Sequence, residues 1–157
     1  AQPVAAPSSS PNLASIYKQI TDALTASADS IVGSGNFELR YQGLVYDKEP
    51  DRNKYWAYVS TATVDTEQST LSTSAGAEGQ RRFTVSGIVM VQVFGPRNDP
   101  TAYYKVGDLA RVAQRAYRVY RPVDNVWYKS AKVEPKVDLE NWKYWVTSAR
   151  FTYDEFV

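Results

Sequence analysis

The sequence predicts an α+β fold, in which a single, mostly antiparallel β-sheet carries two helices packed on one face. Two segments repeat apolar residues at the three- and four-residue spacing of an amphipathic helix. Other segments combine or alternate aromatic and β-branched residues, as strands do. The predicted order is helix, strand, long loop, strand, helix, strand, strand. Because each helix has a single apolar face, one face of one sheet can cover both helices.

The chain has 157 residues, the length of one ordinary domain. Residues 1–11, AQPVAAPSSSP, are small residues and prolines that cannot pack, so we expect a flexible N-terminal arm before a single domain at residues 12–157. We interpret this start as a chain without its initiator Met rather than as a signal-peptide cleavage product, because no charged region or apolar region of such a peptide is present. No segment reaches the roughly 18 consecutive apolar residues of a membrane span, so we expect no membrane association.

The two predicted helices span residues 12–31 and 101–120. Asn12 is the expected N-cap of the first helix, and the sequence GSGN ends it. The apolar face of the first helix consists of Leu13, Ile16, Tyr17, Ile20, Leu24 and Ile31. That of the second helix consists of Val106, Leu109, Ala110, Ala113, Tyr117 and Tyr120.

The strongest strand signal is RRFTVSGIVMVQVF, residues 81–94, in which apolar residues alternate along one face. Residues 55–64, 125–137 and 142–157 are also predicted strands, and the last two form an antiparallel hairpin. Pro135 and Lys136 place the first strand of this hairpin at a sheet edge. Residues 37–54 give conflicting signals, strand-like at FELRYQGLVY and loop-like at DKEPDRNK.

A long polar segment, residues 64–80, separates two strands that we expect to pair. Loops of this length in a compact domain are usually functional or disordered. We interpret this one as a mobile hairpin extension that orders when it reaches a partner.

The absence of His and Cys excludes the usual zinc sites, Cys nucleophiles, Ser-His-Asp triads, disulfides and iron–sulfur clusters. Carboxylates are the best remaining catalytic groups, but Asp47, Glu49 and Asp51 alternate with basic residues, as in a solvated charged loop. No phosphate-binding, dinucleotide-binding or calcium-binding motif is present. The sequence therefore predicts no catalytic, metal or cofactor site, and we expect a protein that is not an enzyme.

The net charge of +1 does not indicate a dedicated nucleic-acid binder, but the charges are unevenly distributed. Residues 1–37 carry one positive and two negative charges, residues 38–80 four and seven, and residues 81–157 thirteen and eight. An acidic middle and a basic end allow one copy to attract another head to tail, which is how rings close. Arg111, Arg115 and Arg118 line one side of the second helix, either as its solvent face or as a docking face for an acidic surface or phosphates.

Aromatic residues make up 13% of the chain and lie mostly on predicted strands. Those that we consider as candidates for contact are Trp56, Tyr58, Trp127, Tyr128, Trp142, Tyr144, Trp145, Phe151 and Tyr153. Two helices cover only one sheet face, yet Tyr144 and Trp145 point to opposite faces of the last strand. We expect a neighbouring subunit on the second face. The alternative is a stacking platform for sugar rings or bases.

The order of these segments resembles the tail terminator, or tail completion, proteins of long-tailed bacteriophages. The matching pieces are NLASIYKQITDAL, WAYVSTATVDTEQSTL, RRFTVSGIVMVQVFGP, VGDLARVAQRAY, VWYKSAKVEP and WVTSARFTYD, which together extend over residues 12–156. The turn GPRNDP, where the family has a glycine-rich turn, and the arm at residues 1–11 depart from the family pattern.

The resemblance implies a structural virion protein of the tail or neck, assembled in the host cytoplasm. Such proteins form a homo-oligomeric ring, usually a hexamer, that caps the tail tube, ends its polymerisation and joins the tail to the head-tail connector. DNA passes through the ring without sequence-specific contact. Arg81 and Arg82 lie where family members often touch the tube protein or a neighbouring subunit.

The candidate interaction residues are Arg81, Arg82, Arg111, Arg115, Arg118, Glu67, Glu78, Trp142 and Trp145. Two alternative functions remain open on the sequence, and an enzyme that uses carboxylates or a Tyr-Lys pair comes after them. One is another phage neck or head-completion protein. The other, from a different class, is a small secreted carbohydrate- or ligand-binding domain, which the aromatic strands and the small-residue N-terminus would suit.

Overall fold

The computed structural model describes residues 11–68, 82–136, 138–139 and 141–156. In these ranges the chain forms two helices and five strands, which confirms the predicted α+β fold class. The elements are α1 (Pro11–Val32), β1 (Phe37–Tyr41), β2 (Tyr55–Gln68), β3 (Arg82–Pro96), α2 (Ala102–Ala116), β4 (Val126–Pro135) and β5 (Trp142–Phe156). The predicted arm and most of the predicted mobile loop lie outside the described residues.

The strands form one sheet in the order β1-β2-β3-β5-β4. Neighbouring strands are antiparallel except β1 and β2, which are parallel. The parallel pair explains the conflicting signals of residues 37–54, because the chain leaves β1 and must return along residues 42–54 before β2 starts beside Phe37. The expected edge position of β4 is confirmed.

The core lies between the helices and one face of the sheet. In β3 the alternation is as predicted, because Val89, Val91 and Val93 are fully buried on this face. The register places Val93 beside Trp145 of β5, and the same face therefore continues across the sheet. The α1 side chains that complete this core are Ile16, Ile20, Leu24, Ala28 and Val32, and those of α2 are Ala102, Val106, Leu109, Ala110 and Ala113.

Helix α2 ends four residues earlier than the periodicity predicts, at Ala116 rather than at Tyr120. The backbone N–H of Tyr117 bonds three residues back, to the carbonyl of Gln114, and the helix tightens and stops there. The buried Tyr117 hydroxyl donates to the carbonyl of Ile16 in α1 at 3.1 Å, which fixes this end against the other helix. Tyr120, predicted on the apolar face, is instead fully exposed, and Arg118 lies beyond the helix.

Three other boundaries differ from the sequence-based expectations. Asn12 lies inside α1, so it is not the N-cap. Strand β2 continues through residues 65–68, predicted as loop, because these residues pair with β3 after a bulge between Thr63 and Asp65. Strand β4 is shorter than predicted, from Val126 to Pro135.

Gly87 in the middle of β3 is required by close packing rather than by its backbone conformation. A methyl group there would overlap the carbonyl oxygen of Ala62 and the buried ring of Phe151. We therefore expect Gly87→Ala to lower the free energy of unfolding by about 1–3 kcal/mol, measured by urea denaturation. Ser86→Ala, the neighbouring position on the other face, is the control and should change stability far less. Equal stability of Gly87→Ala and wild type would contradict this packing.

Candidate interaction surface

The sheet face opposite the helices, here called the open face, carries the even-numbered residues of β3 and β5. Several of its side chains are well exposed, including Met90 at 37% and Trp127 at 56%. The 42–54 connection approaches this face at β1, where the Arg40 guanidinium lies 4.6 Å from the centre of the Tyr46 ring. These exposed side chains are therefore the part of the open face that a partner can contact.

One end of the open face holds an aromatic row, defined by Trp56, Phe94, Tyr144 and Trp142. The register makes Trp56, Phe94 and Tyr144 direct neighbours on β2, β3 and β5. Their rings stack across the strands, with centroids 4.2 Å apart for Trp56–Phe94 and 5.2 Å apart for Phe94–Tyr144. Each such pair contributes about 0.5–1.5 kcal/mol beyond its buried area. The row therefore stiffens this end of the sheet.

The other end of the open face is charged. Lys129 of β4 lies directly opposite Arg150 of β5, an unfavourable arrangement for two like charges. Both side chains are exposed, and neither forms an ion pair with any residue that the structure describes. With Ser86 and Thr152 they line a shallow pocket of about 150 Å³. This basic pair was not predicted, because only the register of β4 on β5 brings the two residues together.

Of the three arginines that were predicted to line the second helix, only two lie within it. Arg111 and Arg115 are exposed on α2, and Arg118 is exposed after the helix has ended. The Arg111 guanidinium lies 5.4 Å from the centre of the Trp145 ring and 3.4 Å from an Asp108 carboxylate oxygen. These arginines are on the helical side of the sheet, so they are separate from the open face.

The two candidate tryptophans lie on opposite faces. Trp142 belongs to the aromatic row on the open face. Trp145 is only 8% exposed, with its ring against Gly107 of α2 and 5.2 Å from that of Tyr103. The fold therefore places Trp145 in the core, where a partner cannot reach it.

The remaining candidates lie near the β2–β3 connection. Glu67 is exposed near the end of β2, and Arg82 is the first residue of β3, opposite Phe156 of β5. Arg81 and Glu78 lie outside the described residues. Among the candidates whose side chains the structure describes, Glu67 and Trp142 therefore lie on the open face, at its opposite ends.

The most strongly perturbed titratable pair joins the start of β2 to the start of α2. The Tyr55 hydroxyl donates to Asp99 Oδ2 at 2.6 Å, and Thr101 donates to the other carboxylate oxygen through its backbone N–H and its hydroxyl. These bonds lower the pKa of Asp99 to about 2. Burial, followed by the bond to Asp99, raises the pKa of Tyr55. The phenol stays protonated as a hydrogen-bond donor, so the pair acts as a structural anchor.

The described residues also bear on whether the chain binds a metal ion or crosses a membrane. In the ranges 11–68, 82–136, 138–139 and 141–156, no three acidic side chains come close enough to hold a metal ion. Neither of the two helices there is both long and apolar enough to cross a membrane.

The sequence matches no model of a known protein family and no curated protein. The fold, in contrast, recurs among solved structures. One of them, of a protein without a descriptive name, aligns with a TM-score of 0.57 over 93% of this chain and 96% of that chain, at 12% sequence identity. At this identity the similarity shows a shared fold.

The Tyr55–Asp99 anchor predicts a pH-dependent stability. Asp99 has a pKa of about 2 in the folded chain and about 3.9 in an unfolded chain. Its contribution is therefore complete above pH of about 4 and is lost as the pH falls through about 2. Tyr55→Phe should lower the unfolding free energy by about 1 kcal/mol at neutral pH, and its difference from wild type should shrink between about pH 4 and pH 2.

Urea denaturation at a series of pH values measures this difference. Tyr104→Phe is the matched control, because it removes the same hydroxyl from a side chain that is 73% exposed. It should match wild type throughout. A Tyr55→Phe deficit that stays constant from neutral pH to about pH 2 would show that the anchor does not depend on the Asp99 charge.

Proposed function

We propose that this chain is a structural subunit that assembles with copies of itself into a ring, as a tail terminator of a long-tailed phage. In that role the ring caps the tail tube, ends tube polymerisation and joins the tail to the head-tail connector. The observation that carries the proposal is the sheet with helices on one face only, which leaves exposed apolar side chains on the other. The order of sequence segments shared with that family supports the same role.

The open face favours a protein partner. Met90 and Trp127 are exposed on it, and large side chains such as these are enriched at protein interfaces. The two edges of the sheet differ. At one edge the short strand β1 pairs with only part of the longer β2, and at the other edge lies β4. A contact between two unlike edges is heterologous, and such contacts generate closed rings when the rotation between subunits closes.

Six copies are the expected number, by resemblance to the family. The partners in this proposal are the tail tube protein on one side and the head-tail connector on the other, and DNA passes through the lumen without specific contact. The ring would assemble in the host cytoplasm and remain in the virion. The same structural observations equally support a neck or head-completion protein. Binding to purified tail tubes distinguishes the tail terminator from this alternative.

A carbohydrate-binding domain is the second candidate, and the exposed Trp127 ring is the observation that favours it. The aromatic row does not suit sugar stacking. Phe94 has Trp56 on one face and Tyr144 on the other, so its ring faces are covered within the chain. If soluble glycans bind, Trp fluorescence should change saturably in wild type and not in Trp127→Ala. We expect no saturable change with any glycan.

Native mass spectrometry tests the ring. We expect one discrete species at about six times the 17.6 kDa of a single chain. The proposal fails if the chain remains monomeric at high protein concentration and low salt.

A further inference from the structure

We propose that copies of this chain join through opposite charged edges of the open face. The acidic end of β2 in one copy meets the basic end of β4 and β5 in the next. We define the acidic edge by Asp65 and Glu67, and the basic edge by Lys129, Lys132 and Arg150. This contact rests on the proposed ring and assigns the surfaces that build it.

The acidic edge belongs to a part of β2 that projects past its neighbour. Strand β1 pairs with β2 only over Tyr55–Val59, and the next outward N–H, that of Thr61, bonds to Gln42 Oε1. Beyond Thr61 no described strand covers the outer side of β2, and residues 62–67 are all exposed. Asp65 and Glu67 pair with Ser86 and Thr84 of β3, which places both carboxylates on the open face. Neither forms an ion pair within the described residues.

The basic edge lies on the same face at the opposite side of the sheet. Lys129 pairs with Arg150, and Lys132 pairs with Ser148. Each of the three basic side chains is exposed, and none has a carboxylate partner among the described residues. Two adjacent cations without a counterion raise the local potential, and an acidic surface from another molecule relieves it. Trp127, exposed next to Lys129, supplies apolar area for the same contact.

The two edges lie in adjacent rows of the open face and match in direction. Asp65, Ser86, Thr152 and Trp127 occupy one row across β2, β3, β5 and β4. Lys129 and Arg150 occupy the next row, together with Ile88 and Ala62. Each step from β2 to β3, β5 and β4 is antiparallel, which makes β2 and β4 antiparallel to each other. A second copy placed beside the first in the same orientation therefore brings residues 126–129 of its β4 antiparallel to the part of β2 beyond Thr61, which β1 does not cover. Asp65 then lies diagonally across from Lys129, within reach of its long side chain.

Side-chain charges, rather than a continuous β-ladder, carry this contact. Val123 already bonds to the outer side of Val126, and β4 has a bulge between Lys129 and Lys132. Ser130 within this bulge has a φ of 56°. Irregularities of this kind prevent a strand edge from pairing with another backbone. The assembly should therefore weaken when salt is raised from about 0.1 M to about 1 M, which shortens the Debye length from about 10 Å to about 3 Å.

Charge reversal tests the contact. Variant A carries Asp65→Lys and Glu67→Lys, and variant B carries Lys129→Glu and Arg150→Glu. In variant A both edges are basic and in variant B both are acidic, so each variant alone should assemble at least about 100-fold more weakly than wild type. An equimolar mixture should regain the oligomer, because each edge of one variant then complements an edge of the other. Sedimentation velocity measures all three samples.

The controls separate this contact from folding and from the ring itself. Circular dichroism and thermal unfolding should show that both variants fold, since all four substituted side chains are exposed. Lys48→Glu with Arg52→Glu makes the same change in net charge as variant B, but on the 42–54 connection, and should leave assembly intact. A wild-type oligomer that neither variant weakens would overturn this contact and leave the ring standing. Weakened variants that the mixture does not restore would also overturn it. A monomeric wild type would overturn both the contact and the ring.

Discussion

A sheet has two faces, and in this chain the two helices cover only one of them. The helices bury the face formed by Val89, Val91 and Val93, together with the small residues of α2 that let this helix approach closely. Burial of that face is the main source of stability, because apolar area removed from water is the dominant favourable term in folding. The same division leaves the opposite face with stacked aromatic rings at one end and charges at the other. The placement of both helices on one face therefore produces both the core and the candidate interaction surface.

The elements best predicted from sequence are those whose periodicity reflects burial on one face. Residues 81–94 alternate because β3 lies in the middle of the sheet, and both helices repeat apolar residues on a single side. The end of α2 was missed, because Tyr117 is as apolar in pattern as the residues before it, while its hydrogen bond to Ile16 ends the helix through a tertiary contact. The parallel pairing of β1 was also missed, since no local signal specifies a partner strand.

The candidate site was harder to predict, because it too depends on which strands lie beside each other. Alternation along the predicted strand already put Trp142 and Trp145 on opposite faces, but the sequence did not show which of these faces the helices would cover. Lys129 and Arg150 become neighbours only through a register that a bulge in β4 determines. The uneven charge distribution, in contrast, was visible in the sequence. In the fold, some of these charged residues form acidic and basic edges on one face of the sheet. Counting charges along the chain cannot show where these edges lie.

Electron microscopy of the purified chain at low salt would show whether this sheet assembles through heterologous contacts into a closed ring. We expect round particles with a central channel and rotational symmetry, most simply sixfold, in which every subunit contacts its neighbours through two unlike edges. Particles the size of a single chain, or dimers with twofold symmetry that join identical surfaces, would contradict it.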